Sequence, residues 1–185
     1  MGNLAICYHD IGERARAREL YGDTLSLARV VGGGFIEAQT LANLATLDMD
    51  EGRFDDAARA LERARAIARA AGYRDVDAMA EAQLGGLWFR LGRPEAAWPL
   101  LAHARGTFRS LGHRASEGLV LLQLAQGTRL YRGDLDAAEE LLSAAEALLS
   151  MAGERPALIE AACQRGHIAL MRDGDGCEEL ARARA

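Results

Sequence analysis

Gly52-Arg53-Phe54-Asp55-Asp56-Ala57-Ala58-Arg59-Ala60-Leu61-Glu62-Arg63-Ala64-Arg65-Ala66-Ile67-Ala68-Arg69-Ala70-Ala71-Gly72 is bounded by glycine at both ends and carries small or apolar residues at Ala57, Leu61, Ala64 and Ala68. Those four fall at i, i+4, i+7 and i+11, a single face of a helix. Asp55 and Asp56 lie in the first turn, where carboxylates meet the positive end of the helix dipole. A glycine just past a helix adopts the left-handed conformation that other residues enter only with a Cβ clash. The stretch therefore predicts one helix, started after one glycine and stopped by the next.

The pattern recurs along the chain. Gly12, Gly52, Gly92, Gly133 and Gly174 are spaced 40, 40, 41 and 41, and Gly32, Gly72, Gly112 and Gly153 lie between them at 40, 40 and 41. One series marks the turn inside a helical hairpin and the other the turn between hairpins. The face of the quoted stretch recurs as the columns Ala17/Ala57/Ala97/Ala138, Tyr21/Leu61/Leu101/Leu142, Thr24/Ala64/Ala104/Ala145 and Ala28/Ala68/Phe108/Leu149. Alternating small and large columns let neighbouring helices approach and interdigitate. A single hairpin cannot bury such a stripe, so the expectation is an all-α solenoid of antiparallel helix pairs with about five repeats. Its divisions are 1–32 (partial), 33–72, 73–112, 113–153 and 154–185 (degenerate). Pro99, five residues after Pro94 and inside the second helix of the third pair, predicts a kink or a late start.

Composition agrees and narrows the function classes. Half of the 185 residues are hydrophobic and only 5% aromatic, which suits one helical array with a continuous core. The net charge is −5, and the 22 basic residues, all Arg, are interleaved with Asp and Glu. That interleaving argues against a nucleic-acid surface. No apolar run reaches the roughly 18 residues that span a bilayer, and no signal peptide opens the chain, so no membrane partner is expected. Cys7, Cys163 and Cys177 are odd in number and form no C-x-x-C pair, which fits a reducing cytoplasm and gives neither a disulfide framework nor a zinc site. Cys163, in a helical stretch, reads as a buried thiol.

His9, His103, His113 and His167 form no H-E-x-x-H or i, i+4 pair. Asp173-Gly174-Asp175-Gly176 starts like a calcium loop but continues with Cys177 where an oxygen ligand belongs. Gly32-Gly33-Gly34 has no strand before it and no Lys-Ser or Lys-Thr after it, which removes a phosphate loop. No nucleophile has a base at diagnostic spacing. The expectation is a binding protein, not an enzyme, with no metal and no cofactor.

Asn43-Leu44-Ala45, then Gly52-Arg53-Phe54-Asp55-Asp56-Ala57, Leu61 and Ala64, resembles the tetratricopeptide consensus: a small residue in the first helix, Gly at the turn, an aromatic two later, Ala, then Leu and Ala. The 40-residue period is longer than the usual 34 and is similar to the repeats of kinesin light chains, of polarity adaptors with Leu-Gly-Asn repeats, and of bacterial LuxR-like and AfsR-like regulators. The resemblance implies a right-handed superhelix whose first helices line a concave groove. It implies a scaffold that binds a peptide or partner protein there or, alternatively, the effector-sensing portion of a larger bacterial transcriptional regulator.

A carboxamide recurs in the first helices: Asn3, Asn43, Gln83, Gln123 and Gln164, spaced 40, 40, 40 and 41. Each offers donors and an acceptor, so a line of them can pair with the N–H and C=O groups of an extended peptide. In the resembling families asparagines at this position hold a bound peptide backbone; the carry-over is cleanest for Asn3 and Asn43. The other role open to these amides is to bridge adjacent helices. Trp88 reads as core. Apolar ends at the first and last repeats leave a homo-oligomer as a further partner.

Overall fold

The computed structural model describes residues 2–172, and every regular element among them is helical. The helices are α1 (Gly2–Asp10), α2 (Arg14–Val30), α3 (Gly34–Asp50), α4 (Phe54–Ala71), α5 (Arg74–Arg90), α6 (Pro94–Leu111), α7 (Arg114–Gly127), α8 (Leu135–Ala152) and α9 (Arg155–Arg172), with a π-helical turn at Thr128–Arg132 after α7. The fold is an all-α helical repeat of the solenoid type. The chain forms two compact units, Met1–Thr107 and Phe108–Ala185. In the first, α1 packs on α2, α3 on α4, and α3 also on α5; in the second, α8 packs between α7 and α9. Gly174, Cys177 and the Asp173–Gly176 run lie outside the described residues.

The glycine series stops the helices as expected. Gly12, Gly32, Gly52, Gly72, Gly92, Gly112, Gly133 and Gly153 all have positive φ, between 67° and 83°. At seven of these stops the residue after the glycine donates its N–H back five residues, from Glu13 to Tyr8, Gly33 to Ala28, Arg53 to Asp48, Tyr73 to Ala68, Arg93 to Trp88, His113 to Phe108 and Glu154 to Leu149, at 2.8–3.0 Å. That bond satisfies a carbonyl the helix end would otherwise orphan.

The exception is Gly133, and it explains the break in spacing. Gly32 to Gly52 and Gly72 to Gly92 are 20 apart, but Gly112 to Gly133 is 21. Gln123 keeps its distance of 40 from Gln83, so the extra residue falls between Gln123 and Gly133. The π turn at Thr128–Arg132 occupies that interval. A turn with i→i+5 bonds takes in one more residue than an α turn, so the insertion is absorbed before Asp134 caps α8 by accepting from the Ala137 N–H at 2.9 Å.

All sixteen residues of the four columns are buried, from 0% exposure at Leu61, Leu101 and Leu142 to 7% at Thr24, whose hydroxyl donates to the Leu20 carbonyl at 2.7 Å. In the first unit the core joins Leu25, Leu41, Leu61, Val76, Leu84 and Leu87 through a bed of alanines, and Trp88 packs half-buried against it. In the second, Leu121, Leu122, Leu142, Leu149 and Ile168 do the same. Two first helices carry glycine where a leucine of the second helix comes close: a Cβ at Gly85 would stand 2.6 Å from Leu101 Cγ, and one at Gly118 would stand 2.7 Å from Leu149 Cγ.

Two expectations change. α6 starts at Pro94 and runs through Pro99, so no late start occurs. Pro99 falls in the second turn, and the acceptor it leaves idle, the Glu95 carbonyl, belongs to an exposed residue. Cys163 is exposed. The buried stripe of α9 runs Ala157, Ala161, Gln164, Ile168, and Cys163 falls between its members on the outer side.

A column of ion pairs ties each second helix to the next first helix across the intervening glycine. Arg29 Nε donates to Glu37 at 3.0 Å, Arg69 to Asp77 at 2.9 Å and Arg109 to Glu117 at 2.9 Å. The arginines are spaced 40 and 40, as are the acids. Glu81, almost fully buried, is held by Arg65 and Arg69 at 2.8 Å and by the His103 Nδ1 at 2.5 Å. Asp48, equally buried, accepts from Arg18 at 2.7 Å and from Arg53 at 2.9 Å. Burial pushes the Asp48 carboxyl above its ordinary value, with the Arg18 charge pulling the other way.

These features set two expected outcomes in denaturant melts. Leu61→Ala empties a fully buried site and should cost about 2–5 kcal/mol. Gly72→Ala forces an L residue to φ +76° and should cost about 1–2 kcal/mol. Gly22→Ala, inside α2 with open space around its Cβ, should instead stabilise by up to about 1 kcal/mol. Equal effects at Gly22 and Gly72 would contradict the assignment of Gly72 as a left-handed stop.

Candidate functional site

The five carboxamides sit on first helices: Asn3 on α1, Asn43 on α3 and Gln83 on α5 in the first unit, Gln123 on α7 and Gln164 on α9 in the second. Their position follows from register. Asn3, Asn43, Gln83 and Gln123 each precede a Leu and then a small buried residue, Ala5, Ala45, Gly85 or Ala125, so the amide lies next to the core stripe without belonging to it. Gln164 is the exception, since it stands on the buried stripe of α9 and is 7% exposed.

Their surroundings divide them. Asn3 is exposed and Asn43 half-buried, and among the described residues no hydrogen bond holds either side chain. Both line one cleft of about 310 Å³, together with Gly2, Ile6, Thr24, Ile36, Gln39 and Thr40. Gln83 is tied to the neighbouring first helix: its Nε2 donates to Thr46 Oγ1 at 3.3 Å. Its Oε1 and that of Gln123 are buried with no hydrogen-bond partner among the described residues. Gln164 Nε2 donates to Glu160 Oε1 at 3.3 Å within α9. Two amides of one cleft thus have free hydrogen-bonding capacity, one bridges helices, and one is bonded within its own helix.

The residues seven positions, about two turns, beyond Asn43, Gln83 and Gln164 are engaged. Asp50 meets the His9 Nε2 at 2.9 Å, linking α1 to α3. Arg90 lies 5.3 Å from the Phe54 ring centre, and Met171 receives Arg129 Nη1 at 3.8 Å. Trp98 stands edge-to-face with Phe89 at 4.9 Å, and Arg93 covers the Trp88 ring at 5.4 Å. These contacts are structural. Among the described residues no group of three His, Cys, Asp or Glu side chains is placed to hold a metal, and no helix is long and apolar enough to cross a membrane.

Sequence reasoning did not find the Thr46 partner of Gln83 or the apolar side of the cleft. Thr46 carried no signal of its own, because its role depends on the α3–α5 approach. The apolar side was signalled by Ile36, which stands at the register position of Val76. If Gln83 is chiefly a bridge between α3 and α5, Gln83→Ala and Thr46→Val should each lower stability by about 0.5–1.5 kcal/mol. The double variant should then cost little more than either single change, which a double-mutant cycle by urea melts measures.

Residues 1–70 match the model of the tetratricopeptide repeat family. No curated protein matches the sequence. Among solved structures the chain is similar to the crystal structure of BtubC (BKLC) from P. vanneervenii, with a TM-score of 0.71 and 21% identity, over 97% of this chain and 76% of that one. At that identity the likeness concerns the fold. With two series of left-handed glycines, hairpins packed through alanine columns and a shared architecture over nearly the whole length, the chain is an all-α helical-repeat protein whose first 70 residues match the tetratricopeptide repeat family.

Proposed function

We propose that the chain is a protein-interaction scaffold that holds an extended peptide or a partner segment on the face of its first helices. Tetratricopeptide repeats generally mediate protein–protein interaction. The observation that carries the reading is the pairing of Asn3 and Asn43, two carboxamides on one cleft with no hydrogen bond to any described residue. Each can donate to a peptide carbonyl and accept from a peptide N–H, which binds backbone without reading its side chains. Gln39 and Thr40 add polar groups to the same rim, and Ile6 and Ile36 add apolar ones. Gln83 belongs to the proposed contact line of the first unit, and Gln123 and Gln164 to a corresponding line in the second, with Gln164 the least accessible of them.

Selection of a binding peptide from a displayed random library, followed by titration, tests the reading. Asn3→Ala combined with Asn43→Ala should weaken the selected peptide about fivefold or more, as loss of two or more hydrogen bonds of about 0.5–1.5 kcal/mol each implies. The melting temperature should stay within about 2 °C, since neither amide supports the fold. A lowered melting temperature with unaltered affinity would assign both residues to structure and remove them from the binding face.

A further inference from the structure

Asp48 stands where the neighbouring first helices carry an aromatic ring. Forty residues earlier is Tyr8, and forty later is Trp88, which packs against the core of the first unit. The cation beside it keeps the same register: Arg93, forty residues after Arg53, covers the Trp88 ring at 5.4 Å. The architecture therefore takes an aromatic group at this place, and a charge there is no requirement of packing. What the carboxylate adds is a tie between hairpins, because Arg18 reaches it from α2 while Asp48 belongs to α3.

That tie is short of cations. Arg18 meets Asp48 at 2.7 Å and Glu51 at 3.1 Å. Arg53 lies 2.9 Å from Asp48, also touches Glu51, and stands 3.9 Å from Asp56 of α4. Arg59 serves Asp56 from the outer side. α1 directs His9 to Asp50, and α5 directs Arg90 to the Phe54 ring. Three carboxylates thus divide the guanidiniums of Arg18 and Arg53. Asp48 is the most covered of the three, at 4% side-chain exposure against 20% for Glu51 and 47% for Asp56. Glu51 and Asp56 keep some hydration, whereas Asp48 has given up nearly all of it for two shared partners.

We propose that Asp48 makes the junction of the α1–α2 and α3–α4 hairpins a pH-responsive joint, loosest when the carboxylate is charged and tightened when it takes up a proton. Burial is the largest influence on the group and raises its carboxyl above the ordinary value, with Arg18 opposing the rise and Asp56 and Glu51 adding to it. The folded chain then holds the proton more firmly than the unfolded chain does. By linkage, the stability this group contributes is present in acid and is lost as pH rises through the raised value. Neutralising Asp48 also strands neither guanidinium, since Arg18 keeps Glu51 and Arg53 keeps Glu51 and Asp56.

The joint does not rest on the amide reading, because Asp48 lines no part of the cleft that Asn3 and Asn43 share. Asp48→Asn in the full chain tests it, since the amide keeps the shape and an acceptor oxygen while removing the charge. Near neutral pH the variant should melt about 2–4 °C above the parent chain. Hydrogen exchange of the α2 amides from Leu20 to Ala28 should slow by about threefold or more, and by more than that of the α5 amides. In the parent chain a carboxyl-carbon NMR titration of Asp48 should give a midpoint above the ordinary aspartate value of about 3.9. A midpoint at or below that value would overturn the proposal. So would an Asp48→Asn variant that melts no higher than the parent or fails to fold, because the charge would then not be what loosens the junction. Exchange that slows no more in α2 than in α5 would also overturn it, by spreading the effect over the whole unit.

Discussion

Everything in this molecule depends on a backbone constraint: a helix ended by a left-handed glycine must turn at once, and the bond from the following N–H five residues back fixes how it turns. Placed at intervals of about 20 residues, these stops make helices of 17 or 18 residues that have to lie antiparallel to their neighbours. Helix length in turn sets how many columns each face can carry. Four columns fit the second helices, and all four are buried. The proposed binding surface is what remains on the first helices once those columns have been satisfied.

Alanine is the second determinant, because a small column brings helix axes close enough for the large column beside it to fill the gap. Where the first helix supplies glycine in place of alanine, as at Gly85 and Gly118, a leucine moves into the space of the absent Cβ. Charge is arranged around this core as repeated clamps. Each arginine of the Arg29, Arg69 and Arg109 set is substantially exposed, while the acid it meets is mostly covered. Exposed pairs of this sort contribute about 0.2–1 kcal/mol, but the covered acid makes the geometry specific, since leaving it without its cation costs more than the pair adds.

The stops, the columns and the helix pairs were legible in the sequence because each depends on residues close together and recurs at a fixed period. Gly52 to Gly72 alone contains a start, a face and a stop. The clamps were equally periodic in Arg29, Arg69 and Arg109, yet their meaning required knowing that the two helices meet across the glycine. The exposure of Cys163 turned on whether it lies on the stripe from Ala157 to Ile168 or beside it, a difference of one residue in helix phase. The candidate site was legible only as a list of amides. That Asn3 and Asn43 share a cleft while Gln83 is bonded to Thr46 and Gln164 lies on a core stripe depends on tertiary approach, which spacing does not encode.

The π turn at Thr128–Arg132 has a consequence for how such arrays change length. One residue added to an α-helix rotates everything beyond it by about 100°, which would carry a packed face out of register with its neighbours. Here the rotation is spent within five residues, and the next stop, cap and column resume in phase. The last turn of a first helix therefore acts as a slack link, a place where an array can gain a residue without renegotiating its core. A fixed period is then the wrong ruler for counting units in chains of this kind, because the distance from an amide to the next stop can stretch by one residue, as it does between Gln123 and Gly133.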